Sequence, residues 1–159
     1  MSKSDMFLSV VGKKSGAIKG ESEDDKHKGE IDVLSWSWGI SGRHEMSGLG
    51  AAGKARVKEL KVVKQVDVAS PALMNVAMNN EEIKKAVLAV RKAGTTQQEY
   101  CKFTIENGRI TGIDVQTTGH EMLETVSFAY QKIEVECKAQ GKDGQTLGSA
   151  TFNTDILDS

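Results

Sequence analysis

Apolar and polar residues alternate along most of the chain with a period near two, the spacing of strands that bury one face. "MFLSVV" (6–11) is the first such run. "EIDVLSWSWGIS" (30–41) is longer, with Ile31 and Val33 in one phase and Leu34, Trp36, Trp38 and Ile40 in the other. Its second half leaves Ser35, Ser37 and Gly39 opposite the tryptophans, which suits a barrel strand packing one side on a core. "KARVKELKVVKQVDV" (54–68) changes phase near Glu59, from Ala55 and Val57 to Leu60, Val62, Val66 and Val68, and so predicts a β-bulge there.

One segment has helical spacing. In "SPALMNVAMNN" (70–80) Ser70 is read as the N-cap and Pro71 as the first helical residue, where a missing N–H costs nothing. Leu73, Val76 and Ala77 form a stripe that Met74 and Met78 extend, and Asn79 and Asn80 end it. Strands then resume. "KAVLAVRKAG" (85–94) precedes "EYCKFTIENGRITGIDVQTTG" (99–119), where Asn107-Gly108 between alternating runs predicts a hairpin turn. "ETVSFAYQKIEVECKAQ" (124–140) carries Val126, Phe128 and Tyr130 in one phase and Ile133, Val135 and Cys137 in the other, which places a second bulge near 131–132. Asp143-Gly144 turns into a last strand in "TLGSATFNTDIL" (146–157). About eight strands and one helix predict an all-β-dominated fold, an antiparallel two-sheet β-barrel with one short flanking α-helix.

Composition adds bounds. The 159 residues, 38% hydrophobic and 27% charged, fit one soluble globular domain spanning 1–159. With 21 basic and 22 acidic residues the chain has no electrostatic footprint for nucleic acid or an anionic membrane surface. "ESEDDKHK" (21–28) reads as a solvated loop. The apolar run 6–11 is too short for a secretion leader, and no segment approaches the roughly 20 apolar residues of a membrane helix. Synthesis and folding in the cytoplasm are expected, with any export by a route that cleaves no leader. Cys101 and Cys137 read as two reduced, half-buried thiols, with a bridge between them left open.

The chemistry that the residues suggest is sparse. Gly48, Gly50 and Gly53 in "GLGAAGK" match G-x-G-x-x-G, but a dinucleotide site needs a strand running into the first glycine and a helix leaving the last. Here "GRHEMS" precedes the motif and a strand pattern follows it, so Asp67 lacks the context of a ribose ligand. Lys54 is followed by Ala55, so no Walker A motif exists. His27, His44 and His120 sit beside carboxylates in polar segments and read as solvated rather than metal-bound. No catalytic, cofactor-binding or metal residue is expected. Leu49, Ala51 and Ala52 make an apolar tip on a glycine-rich loop, which favours a loop laid against another subunit.

Taken together, "IKGESEDDKHKGEIDVLSWSWG" (18–39), the glycine loop through Gly53-Lys54, "VDVASPALMNVAMN" (66–79), "AVLAVRKAGTTQQEY" (86–100) and "ETVSFAYQKIEVEC" (124–137) resemble the Hcp (haemolysin-coregulated protein) family, inner-tube proteins of the bacterial type VI secretion system. The resemblance implies the barrel with one flanking helix and no enzyme activity or cofactor. It implies a structural subunit that forms homohexameric rings, stacked into a hollow tube. A contractile sheath surrounds that tube and drives it out with a spike protein at its tip. The alternative is a ring-shaped carrier that chaperones small effector proteins in its lumen. The tube is assembled in the cytoplasm and then secreted, without membrane insertion. By resemblance Gly48, Leu49, Gly50, Ala51, Ala52 and Gly53 form the loop that reaches neighbouring subunits or rings. Ser35, Ser37 and Gly39 are lumen or cargo positions, or else ordinary outer-face residues. "KKSGA" (13–17) lengthens a turn relative to the family, and the long C-terminal segment adds a strand or caps a ring face.

Overall fold

A computed structural model describes residues 5–42, 55–91, 99–140 and 146–156. The strands are β1 (Met6–Gly12), β2 (Gly16–Ala17), β3 (Ile31–Asp32), β4 (Ser35–Ser37), β5 (Ile40–Ser41), β6 (Arg56–Val57), β7 (Leu60–Gln65), β8 (Ile83–Arg91), β9 (Glu99–Thr118), β10 (Glu121–Gln140) and β11 (Thr146–Asp155). The helix α1 spans Ser70–Met78. All described pairings are antiparallel. Neighbours run β2-β1-β8-β9-β10-β7-β4, with β11 beside β10 and β3 beside β1, while β5 and β6 make a separate two-stranded ribbon. The described residues are thus β-dominated with one helix, as the alternation predicts. The large sheet curls back toward its start rather than closing by a continuous ladder. The gap is spanned by two bonds, from Val33 N–H to Met6 O (3.0 Å) and from Leu34 N–H to Val63 O (2.8 Å).

The curl encloses one apolar core. Paired residues share a face, so the rungs Leu60–Phe128 and Val62–Val126 bury four side chains together. Phe7, Leu8, Ile31, Leu88, Ile105 and Ile133 are also sealed. Each such side chain contributes about 1.5–3 kcal/mol of transfer free energy. Leu73 and Val76 bury one stripe of α1, whereas Met74 and Met78 are exposed. The expected extension of the stripe by the two methionines is therefore wrong: they lie one residue off the 3.6-residue spacing and face outward.

Several local expectations change. Asn107-Gly108 forms no hairpin turn; it lies inside the twenty-residue β9. Asn107 takes φ 53°, and a Cβ on Gly108 would stand 2.8 Å from Ala129 O. The pair therefore bends the strand and lets a neighbouring backbone approach closely. β10 changes phase opposite it, with Tyr130 and Ile133 buried and Gln131 and Lys132 exposed. Both strands bend together, the way a strand passes from one layer of a barrel to the other. The register shift between β9 and β10 lies instead at Ser127/Phe128. The hairpin turn is at Thr118–Glu121, where Gly119 takes φ 62°. The phase change near Glu59 is not a bulge: the chain leaves β6, paired to β5, and re-enters the large sheet as β7.

Ser70 is not the N-cap. Ala69 holds that position, Ser70 is the first helical residue and Pro71 the second. Asp67 caps the start instead, its Oδ1 accepting from Ala69 N–H at 2.9 Å. Asn79 is the C-cap, and Asn80 at φ 51° supplies the left-handed residue that ends α1. The "KKSGA" turn is gripped by Glu81, whose carboxylate accepts from Lys14 N–H (2.9 Å), Ser15 N–H (2.8 Å) and Ser15 Oγ (2.8 Å).

Candidate functional site

The serine positions stand on a polar platform. Rungs across β4, β7, β10 and β9 bring Ser35, Val63, Thr125 and Asp114 to one face, and Ser37, Lys61, Ser127 and Gly112 beside them. Ser35, Ser37, Lys61 and Asp114 are exposed there. Gly39 is half-buried past the end of β4, where its carbonyl accepts from Lys58 N–H at 2.9 Å. Lys61, Thr125, Ser127 and Asp114 extend the platform beyond the residues singled out from the sequence. The polar phases of "LKVVKQ" and "ETVSFAY" carry that signal, but only the register joins them.

The opposite face holds the tryptophans. Trp36 and Trp38 pack on Phe103 at 4.6 and 5.9 Å between ring centroids, and Trp38 also meets Phe152 of β11 at 6.5 Å. Trp38 Nε1–H donates to Tyr130 Oη at 2.6 Å, and Tyr130 Oη–H donates to Lys58 O at 2.5 Å. Burial pushes the Tyr130 phenol above its ordinary pKa, against the opposing effect of the Trp38 bond. These rings are committed to packing rather than to stacking a sugar or base. Beside them an open groove of about 530 Å³ is lined by Ser37, Trp38, Val57, Lys58, Glu59 and Lys61. It lies at the base of the β5–β6 ribbon, which carries the glycine loop. Gly48, Leu49, Gly50, Ala51, Ala52 and Gly53, with His44, lie outside the described residues. The chain re-emerges from that loop as strand β6, where a dinucleotide motif requires a helix.

Buried polar chemistry sits at the start of α1. Lys64 and Glu124 are a cross-strand pair on the core face, both fully buried. Lys64 Nζ donates to Glu124 Oε1 (2.6 Å), Asp67 Oδ1 (2.9 Å) and Ser70 Oγ (3.0 Å). Ser70 Oγ–H donates to Glu124 Oε1 at 3.0 Å and accepts from Asp67 N–H at 3.0 Å. A serine 3.0 Å from a lysine has the spacing of a nucleophile and its base. With three N–H donors spent on three oxygens, however, the lysine offers no lone pair, and both groups are sealed from substrate. The network instead fixes the start of α1 against β7 and β10 of the curled sheet. Asp67 serves here, not at a ribose.

His27 also departs from expectation. It is 6% exposed, stacked on Phe7 with ring centroids 4.4 Å apart, and its Nδ1 lies 3.1 Å from Glu30 Oε1. The segment 21–28 is a solvated loop at Glu21, Glu23, Asp25, Lys26 and Lys28, but it is pinned at Asp24 and at the buried Ser22 and His27. Arg91 holds it, donating from Nη1 to both Asp24 oxygens (2.9 and 3.0 Å) while lying over the Phe7 ring. Burial raises the Asp24 pKa, but the Arg91 hydrogen bonds, the Lys26 N–H and the charges of Arg91 and His27 outweigh it and set the group below the ordinary range. Asp32 shifts upward, through burial and then the neighbouring Asp67 carboxylate. His120 is exposed at the β9–β10 turn. Among the described residues no group of three or more His, Cys, Asp or Glu is placed to hold a metal ion. Among them, too, no helix is long and apolar enough to cross a membrane.

The cysteines are joined, against the reading of two free thiols: Cys101 and Cys137 are direct partners in the β9–β10 register and form a disulfide with Cα atoms 4.1 Å apart.

The described residues thus form an antiparallel curled sheet with a polar platform, a buried ion network and one packed helix. Residues 7–137 match the family described as type VI secretion system effector, Hcp, and the chain belongs to that family. It is 36% identical over 149 residues to protein hcp1 of Pseudomonas aeruginosa, covering 91% of this chain and 89% of that protein. The fold matches a type VI secretion system effector from Yersinia pestis with a TM-score of 0.76 at 28% identity, covering 96% of this chain and all of that one. It matches Hcp1 from Salmonella typhimurium with a TM-score of 0.74 at 29% identity, covering 96% and 95% of the two chains. The chain is thus an effector or tube protein of type VI secretion, a context that implies export. The C-terminal segment forms strand β11, which follows the matched residues and pairs with β10.

Proposed function

We propose that the protein is a structural subunit of the secretion tube and acts as one domain over residues 1–159, without enzyme activity. It forms homohexameric rings that stack into a hollow conduit, inside a contractile sheath and behind a spike. The observation that carries this reading is the two-faced sheet of a family member: one face packs the core, and the other presents a largely polar platform. A conduit wall needs such a surface, because polar groups that remain hydrated do not trap a sliding cargo. Ring contacts of this kind are heterologous and close by rotation, so each subunit uses two different surfaces. Gly48, Leu49, Gly50, Ala51, Ala52 and Gly53 supply one of them. Assembly occurs in the cytoplasm and export follows without a cleaved leader. Native mass spectrometry at high protein concentration tests the reading: six-chain particles support it, and monomers alone overturn it.

The platform also favours a second role, carriage of a small effector protein within the ring. Ser35, Ser37, Lys61 and Thr125 offer donors and acceptors around the half-buried Val63, which suits weak and reversible contact. Gly39 borders that surface. Co-purification of a small secreted protein, lost on Ser35→Trp/Ser37→Trp substitution with hexamers intact, supports carriage. Unchanged retention in that variant removes the platform from the role.

A further inference from the structure

Cys101 and Cys137 stand on a rung that crosses four strands, with Val90 of β8 beside Cys101 and Ala150 of β11 beside Cys137. The next rung inward on the same face is Leu88, Phe103, Val135 and Phe152, which carries the rings packed on Trp38. β9 and β10 are joined by the turn at Gly119, so the disulfide ties the open end of their long hairpin, 36 residues around the loop. Both cysteines are only half-buried, within reach of a small solute. A protein of a secretion system meets two redox environments: the cell interior keeps thiols reduced, and the exterior does not.

We propose that Cys101 and Cys137 form a compartment-dependent staple, open as two thiols in the producing cell and closed after export. The oxidant is a low-molecular-weight disulfide, RSSR. One cysteine thiolate attacks a sulfur of RSSR, forming a mixed disulfide and releasing one RSH. The second cysteine thiolate attacks the protein sulfur of that mixed disulfide and releases the other RSH. Two protein thiols and RSSR thus give one protein disulfide and two RSH: the cysteines lose two electrons, and both protons go to the leaving thiols. Because the partners already share a rung, closure needs no rearrangement of the strands. It limits fraying of β8 to β11 at the end nearest the aromatic cluster.

The proposal rests on export, and its test separates the two. Cells with an active secretion system are quenched with a thiol-alkylating reagent, and the intracellular and secreted protein are compared by mass. The expected result is two alkylated cysteines inside and none outside. Purified protein is equilibrated in parallel with excess reduced or oxidised glutathione, giving the dithiol in the first and the disulfide in the second. The disulfide form should melt about 5–15 °C higher, a difference absent from Cys101→Ser/Cys137→Ser. A disulfide inside the cell, a dithiol outside it, or a pair that ignores glutathione overturns the staple while leaving export intact. No protein in the medium overturns export, and with it closure after export, whatever glutathione does in vitro.

Discussion

Replacing Lys64 by methionine is the most informative perturbation of the fold. The side chain keeps most of its length but loses three donor contacts at 2.6, 2.9 and 3.0 Å, and Glu124 is left fully buried beside an apolar group. Breaking a buried ion pair from one side costs about 3–5 kcal/mol, because the orphaned charge keeps its desolvation penalty. For a chain of this size that corresponds to roughly 6–20 °C in Tm. Lys64→Met/Glu124→Leu removes both charges and should recover most of the loss, since buried pairs exchange with apolar residues at little net cost. Urea unfolding reads both, followed by fluorescence of Trp36 and Trp38, which pack on Phe103. Protein concentration is held constant, because assembly is linked to stability. A Lys64→Met variant within about 1 kcal/mol of the parent, or a double variant as unstable as the sum of the singles, refutes the reasoning.

Other outcomes follow from particular contacts. Tyr130→Phe strips partners from Trp38 Nε1–H and Lys58 O and should cost about 1–3 kcal/mol, with an altered Trp38 emission; unchanged emission and melting contradict the relay. Asp24 and Glu81 titrate below their ordinary values of 3.8 and 4.5, the first held by Arg91 and the second by the Ser15 and Lys14 bonds. Their stabilisation is present above those values and lost as pH falls through the lowered ones. Tm of Asp24→Asn should therefore approach the parent's as pH drops below about 4, and a gap constant from pH 7 to pH 3 contradicts this. Asp32 has the opposite sign, raised by burial and by Asp67. Asp32→Asn should melt higher than the parent at pH 7, with the gain vanishing in acid; a lower melting point at pH 7 contradicts it. Replacing Gly48, Gly50 and Gly53 together by alanine should impair ring closure or stacking while the monomer's circular dichroism and melting stay unchanged; undisturbed tubes rule out the loop's role.

Much of this was legible in the sequence because alternation is a strong signal where one face is buried. The strands and the outward phase of Ser35 and Ser37 follow from it directly. The helix was legible too, although Met74 and Met78 looked like core only while the stripe's width was unknown. What failed depended on distant partners. Asn107-Gly108 has hairpin chemistry, yet the twenty residues of β9 use the same left-handed preference to bend. His27 is buried because Phe7 stacks on it and Arg91, far along the chain, pins the loop it stands in. The cysteines meet only because the turn at Gly119 sets the register. Lys64 and Glu124 were visible as charges in apolar phases, beside Val62 and Val126, and that interruption is the signal to weigh in such a strand. Of the candidate site, the platform's first members were readable, its cross-strand neighbours were not, and the glycine loop lies outside the described residues.

Electron micrographs of the purified protein, averaged to reveal ring order and wall orientation, test the central claim most directly. The account predicts six-fold rings with an open lumen and the Ser35–Ser37 platform facing inward. Particles of another order, monomers at high concentration, or rings carrying that platform on the outer wall would contradict it.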